Sequence, residues 1–287
     1  MNTISRGVGL MTNAFNYLVA FSLILGMTGC QTLNNNQDKT AKEESNTDLS
    51  VAAAFLESGQ PDKALFELRP VLEREPKNIK AHTLMGLTHL ALKNPNKAVQ
   101  HMEMAWNLGQ TAVNALNLSS AYLESGQLDK AQKMILKGLN LKETPPYRNS
   151  ERFYHNLGLI AEKRGSLVAA EKSYRRALAE NPTFYLSRSR LAFLLEERKK
   201  FDAAKSEWEQ ARLSCPGCFE ATERLATYYR NRGDLRTALG VVQDYRRIEG
   251  LRLTDAKNAA ELETQLNAER LKSAQQKLNE KAGSQAR

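Results

Sequence analysis

A 34-residue period runs through this chain and restricts its fold more than any other feature. Leu157-Gly158, Gly165, Ala170, Tyr174, Ala177-Leu178 and Pro182 recur as Leu191-Ala192, Ala204, Trp208, Ala211 and Pro216, then as Leu225-Ala226, Gly233, Ala238 and Val242. Toward the N-terminus the small-residue column continues at Ala131, Ala98 and Ala64. Six units result, at about 45–78, 79–111, 112–150, 151–184, 185–218 and 219–252. A period of this length marks an array of stacked supersecondary units. Each unit reads as two antiparallel helices, A and B. Small residues such as Gly86, Gly158, Ala192 and Ala226 let helix A approach its partner, and Tyr174 and Trp208 fill the space that the small column leaves. One unit cannot bury its apolar faces alone, so the units must stack. Pro76, Pro182 and Pro216 fall at unit ends, where a helix has to stop.

These columns resemble the tetratricopeptide repeat. The resemblance implies an all-α, right-handed α-solenoid of six helix-turn-helix repeats over 45–252. The third unit departs from the period, because "LKETPPYRNS" adds five residues before the fourth, and a joint is expected there. Beyond Leu251, Thr254 is a candidate N-cap. Ala256, Ala259, Ala260, Leu262, Leu266 and Leu271 then form a 3.6-period stripe, which predicts a capping helix over 253–282 and a disordered tail over 283–287.

The N-terminus has a different character. The apolar run from Tyr17 to Met27 is about half the ~20 residues that a membrane-spanning helix needs, and it has the layout of a secretory signal peptide. Met27-Thr28-Gly29-Cys30 resembles the lipobox of bacterial lipoproteins, with Met in place of the usual first-position Leu. That resemblance implies a signal peptide over 1–29, acylation of Cys30, and sorting to the periplasmic face of the outer membrane by Gln31. Acyl chains at ~0.8 kcal/mol per buried CH2 suffice for anchoring. The polar tract from Asn34 to Asp48 has almost no apolar side chains and reads as a flexible tether, assigned to residues 30–44. The formal charge is +9, and residues 144–287 carry 27 Lys and Arg against 19 Asp and Glu, an excess of 8. Such an excess reads first as a solvated helical surface; export argues against nucleic acid as a partner and leaves peptidoglycan, acidic lipid head groups or an acidic protein as the alternatives.

In tetratricopeptide arrays helix A lines the concave groove. Transferred residue by residue, the first three units place Leu49, Ala53, Leu56, Thr83, Leu87, Leu90, Val113, Leu116, Ser120 and Leu123 there, an apolar strip expected to be open to a partner. The last three units place Arg152, His155, Leu159, Glu162, Leu186, Ser189, Phe193, Glu196, Glu220, Glu223, Thr227 and Arg230, a mixed-charge strip. The Lys and Asn pair with which some relatives clamp a C-terminal carboxylate is absent, since those positions hold Ser50, Ala53, Leu84 and Leu87.

No phosphate-cradling glycine loop, metalloprotease helix or nucleophile elbow occurs, so no enzyme, cofactor or metal is expected. His82, His89 and His101 share the second repeat but lack a carboxylate or cysteine at ligand spacing. Cys215-Pro216-Gly217-Cys218 has thioredoxin-like spacing, yet it sits in an inter-unit turn. A structural disulfide is expected, with free thiols and redox catalysis as the alternatives.

Lipobox, tether, six repeats and C-terminal helix together resemble the PilF/PilW family of type IV pilus biogenesis lipoproteins. The resemblance implies a non-enzymatic protein that binds a secretin subunit and helps it reach and multimerise in the outer membrane, here through the apolar strip. A lipoprotein scaffold for peptidoglycan hydrolases or a periplasmic protease is the second reading. A periplasmic thiol oxidoreductase using Cys215 and Cys218 is the third. Oligomeric state is not legible.

Overall fold

The computed structural model describes residues 36–143 and 146–285. Among these residues there are thirteen α-helices and no strand. They are α1 (Asn36–Glu57), α2 (Pro61–Arg74), α3 (Ile79–Ala91), α4 (Pro95–Leu108), α5 (Ala112–Glu124), α6 (Leu128–Leu139), α7 (Glu151–Lys163), α8 (Leu167–Glu180), α9 (Tyr185–Glu197), α10 (Phe201–Ser214), α11 (Phe219–Asn231), α12 (Leu235–Arg246) and α13 (Leu253–Gln285). Helices α1 to α12 form the A and B pairs of the six repeats, and α13 is the cap. The chain falls into two compact units that divide between Arg164 and Gly165.

The turn from A to B is built the same way in every repeat. One residue takes a left-handed conformation: Gly59, Gly126, Gly165 and Gly233 at φ between 71° and 77°, and Lys93 and Lys199 at 59° and 56°. Glycine adopts this backbone without a Cβ penalty, whereas a lysine pays ~1 kcal/mol or more. The turn from B to the next A is also repeated. The N–H of Asn78 donates to the carbonyl of Glu75, that of Phe184 to Asn181 and that of Cys218 to Cys215, all at 3.0 to 3.1 Å. Pro76, Pro182 and Pro216 each occupy the second position of these turns.

In the first unit, small residues set the helix spacing. A Cβ on Gly138 would stand 2.4 Å from the Phe153 ring and 2.9 Å from Ala115. Phe153 is fully buried against that bare backbone. Contacts tie the inserted stretch before the fourth repeat to the core. Tyr147 meets Phe153 edge-on with ring centroids 5.8 Å apart, and a Glu143 carboxylate oxygen accepts from the Ala112 N–H at the start of α5. In the second unit Tyr174 and Trp208 are buried as the small-residue columns require. Around α12 and α13, Phe219, Leu239, Val242, Tyr245, Ala259 and Leu266 form the terminal core.

Three expectations change. The tract read as a flexible tether is helical from Asn36, because α1 continues upstream of its packed half. Leu49 and Ala52 bury against the neighbouring helices, and Asp48 pairs with Arg74 at 2.5 Å. Once that nucleus exists, each further residue adds a backbone bond at low cost. Thr254 is not the N-cap of α13: the helix starts at Leu253, and the Ala256 N–H donates to the Arg252 carbonyl. The apolar stripe of α13 ends its buried course at Leu266; Leu271 is exposed, and the helix extends to Gln285 without a packed partner for that side chain. The signal peptide and Cys30 lie outside the described residues.

Candidate protein-docking faces

Helices α3 and α5 are buried over most of their surface, ten residues of each. A helix of that kind has to be surrounded. Helix α3 packs against α1, α2, α4 and α5, and α5 against α3, α4, α6 and α7. The strip expected to be open is therefore largely core. Leu49, Thr83, Leu87, Leu90, Leu116 and Leu123 are buried; Ala53, Leu56 and Ser120 are half-buried; Val113 alone is exposed, at 38%. A sequence pattern cannot reveal this, because exposure depends on how many neighbours each A helix acquires.

Three histidines meet beside this layer. His82 Nε2 donates to the Pro76 carbonyl at 2.9 Å, since a carbonyl can only accept, and its Nδ1 lies 3.1 Å from His101 Nδ1. One of those two nitrogens donates to the other, so they cannot both carry a hydrogen. The His89 ring stacks on His101 with centroids 5.5 Å apart. Burial, and then the positive neighbours His82, His89 and Lys97, hold His101 down at about 4. His89 is lowered by burial, Lys97 and Arg69. Among the described residues no group of three or more His, Cys, Asp or Glu is arranged to hold a metal ion.

The A helices of the second unit meet through polar groups. Tyr185 Oη donates to Glu220 Oε2 at 3.0 Å, and Arg224 Nη1 lies 3.4 Å from Glu196 Oε2. The other Glu196 oxygen accepts from Trp208 Nε1 at 2.8 Å. The Phe193 ring stands edge-on to Trp208, and the Arg224 guanidinium lies 4.5 Å from its centroid. Burial pushes the Glu220 carboxyl upward, against the opposing pull of Tyr185, Arg224 and Arg190. Between α9 and α11 the mixed-charge strip thus holds together through hydrogen bonds, an ion pair and a cation–π contact. In the fourth repeat His155 is buried.

Cys215 and Cys218 come together in the turn between α10 and α11. Their Cα atoms are 5.4 Å apart, a span that a disulfide bridges, and their sulfurs meet. The more accessible thiol, Cys215, follows the C-terminus of α10, where the helix dipole opposes a thiolate; Cys218 is 4% exposed. That is the opposite of what an attacking thiol needs.

Among the described residues no helix is long and apolar enough to cross a membrane. In sequence the chain is similar to the type IV pilus assembly protein PilF of Pseudomonas aeruginosa, at 21% identity over 196 residues, covering 67% of this chain and 77% of that protein. The solved structure of P. aeruginosa PilF superposes with a TM-score of 0.57 at 18% identity, over 77% of this chain and 99% of that one. PilW, described as a widely conserved type IV pilus biogenesis factor, gives 0.58 at 16%, over 75% and 98%. A thermophilic tetratricopeptide protein of Thermus thermophilus gives 0.56 at 22%, over 64% and 98%. At these identities the structural likeness establishes the fold. The tetratricopeptide repeat profile itself matches residues 80–247, well over half of the chain, and the protein belongs to the tetratricopeptide repeat family.

Proposed function

We propose that this protein is a non-enzymatic lipoprotein, anchored through Cys30 on the periplasmic face of the outer membrane, which binds a secretin subunit and assists its localisation and multimerisation during type IV pilus biogenesis. The observation that carries this reading is the extent of the sequence likeness to a type IV pilus assembly protein, which spans 77% of that protein. The A-helix face of the first unit is the proposed docking surface. Its accessible members are Val113, with Ala53, Leu56 and Ser120 half-buried beside the packed leucines. A protein that works by docking needs a rigid support under a few contact residues, and the surrounded α3 and α5 helices supply one. Cys215 and Cys218 act as a structural clamp in this reading.

An affinity capture of the acylated protein from gently solubilised outer membranes, with bound proteins identified by mass spectrometry, tests the proposal. A secretin subunit is expected in the bound fraction. Recovery of cell-wall hydrolases or a protease without a secretin would replace this reading with the scaffold alternative.

A further inference from the structure

In the second unit the edge formed by the A-to-B turns sets exposed apolar groups among cations. Phe201, at the start of α10, stands 52% exposed, and Val168, at the start of α8, 72%. Ion pairs between repeats hold these turns side by side. Arg198, in the turn before Phe201, pairs with Glu171, one helical turn beyond Val168 on the same side of α8. Arg232, in the turn before α12, pairs at 2.6 Å with Asp202, the chain neighbour of Phe201. Lys199 and Lys200 are exposed and form no ion pair among the described residues.

The first unit fills the same positions differently. Turns 57–62, 91–96 and 124–129 carry one Lys against four Asp and Glu, whereas the corresponding turns 197–202 and 231–236 carry five Lys and Arg against three. Val168 stands in the register position of Asp62, Asn96 and Asp129. Lys199 holds the left-handed conformation that glycine holds in four of the six turns. A bulky residue kept in that conformation, in an exposed turn where glycine would be less strained, supports a role for its side chain. Lys93 takes the same conformation between the uncharged Leu92 and Asn94, whereas Lys199 lies between Arg198 and Lys200.

Charge and shape together select the partner. The unpaired lysines call for an anionic surface. Phe201 and Val168 protrude singly from helix starts, so a protein partner would need a separate hollow for each. A lipid headgroup layer yields around protruding apolar groups and sets its phosphates against the cations beside them. We propose that this edge of the second unit docks on an anionic lipid surface, with Lys199 and Lys200 at the phosphates and Phe201 and Val168 in the interfacial layer. The proposal depends on neither acylation of Cys30 nor secretin binding, and it can fail while those readings stand.

The test uses the mature chain carrying Cys30→Ala, which cannot be acylated, sedimented with vesicles of phosphatidylglycerol and phosphatidylcholine in equal parts or of phosphatidylcholine alone. Binding should be about tenfold or more stronger on the anionic vesicles and should fall with added salt. Lys199→Gly with Lys200→Gln removes both charges, keeps a residue suited to the left-handed turn, and should weaken binding about tenfold or more. Phe201→Ser should weaken it about tenfold at unchanged charge. In a Phe201→Trp variant, lipids brominated in their acyl chains should quench tryptophan emission beyond the quenching of the parent chain. If the first two variants do not fold, the vesicle comparison and the quenching still decide. Equal binding to both vesicle types, no binding to the anionic ones, or folded variants that bind as the parent does would overturn the proposal. Binding to polyglutamate that matches binding to the anionic vesicles and is unaffected by Phe201→Ser would overturn the lipid assignment in favour of an acidic protein.

Discussion

The first and second units share one repeat frame and fill the same A-helix positions with opposite chemistry. In the first, Leu84, Leu87, Leu90, Leu116 and Leu123 are buried, and α3 and α5 pack directly on each other. In the second, α9 and α11 meet through Tyr185–Glu220 and Arg224–Glu196. A repeat frame therefore fixes where helices go and leaves open what holds adjacent A helices together. The apolar version is rigid and intolerant of charge; the polar version is satisfied pair by pair, and its loss should be graded.

The largest expected effect follows from that contrast. Leu87→Glu combined with Leu116→Glu puts two unpaired carboxylates into the first unit's core and should cost more than about 4 kcal/mol, enough to unfold it. Hydrogen exchange would then show loss of protection confined to residues before Arg164; unchanged protection there would mean that the strip is not core. In the second unit Glu196→Ala strips Trp208 Nε1 of its acceptor and Arg224 of its partner, and about 1–3 kcal/mol should be lost in denaturant unfolding. A loss as large as in the leucine variant would erase the distinction between the two faces. Replacing Cys215 and Cys218 together by serine should cost ~2 kcal/mol at most in the chain-entropy model. The fold should survive, because the Glu75–Asn78 and Asn181–Phe184 turns form without cysteines.

Acid should act on the first unit through its histidines. His101 titrates at about 4 in the folded protein, against ~6.5 in an unfolded chain. Between these values the unfolded state binds more protons, so stability rises with pH and falls on acidification from ~6.5 toward 4. His101→Gln should flatten that dependence in thermal melts recorded across this range, and an unaltered slope would assign it to other groups. The smallest effect should come from Lys199→Gly in the second unit. Relief of a left-handed lysine is offset by glycine's greater unfolded-state entropy, which leaves a gain of about 0.5 kcal/mol or less. A clear destabilisation would mean that the lysine side chain, not the backbone, matters at that turn.

Much of the frame was legible in the sequence because it depends on columns. The small residues at Ala64, Ala98, Ala131, Ala170, Ala204 and Ala238 are all fully or almost fully buried, and the Pro column marks the turns. Glycine occupies four of the six left-handed A-to-B turn positions. Lys93 and Lys199 were invisible because flanking helices, not their own preference, impose the conformation. The helix upstream of Leu49 was missed for a related reason: its residues are polar, and its order comes from propagation of a packed segment. The candidate sites were less legible. The groove positions were placed on the right helices, but their burial depends on four neighbours per helix.

The most direct test of the docking proposal is a calorimetric titration of the purified mature protein with the secretin subunit of the same organism, beside a Val113→Glu variant whose melting temperature matches the native protein. Saturable binding by the native protein, weakened about tenfold or more by the single exposed charge, is the predicted result. No saturable binding by the native protein, or equal binding by both, would contradict docking at the first unit's A-helix face.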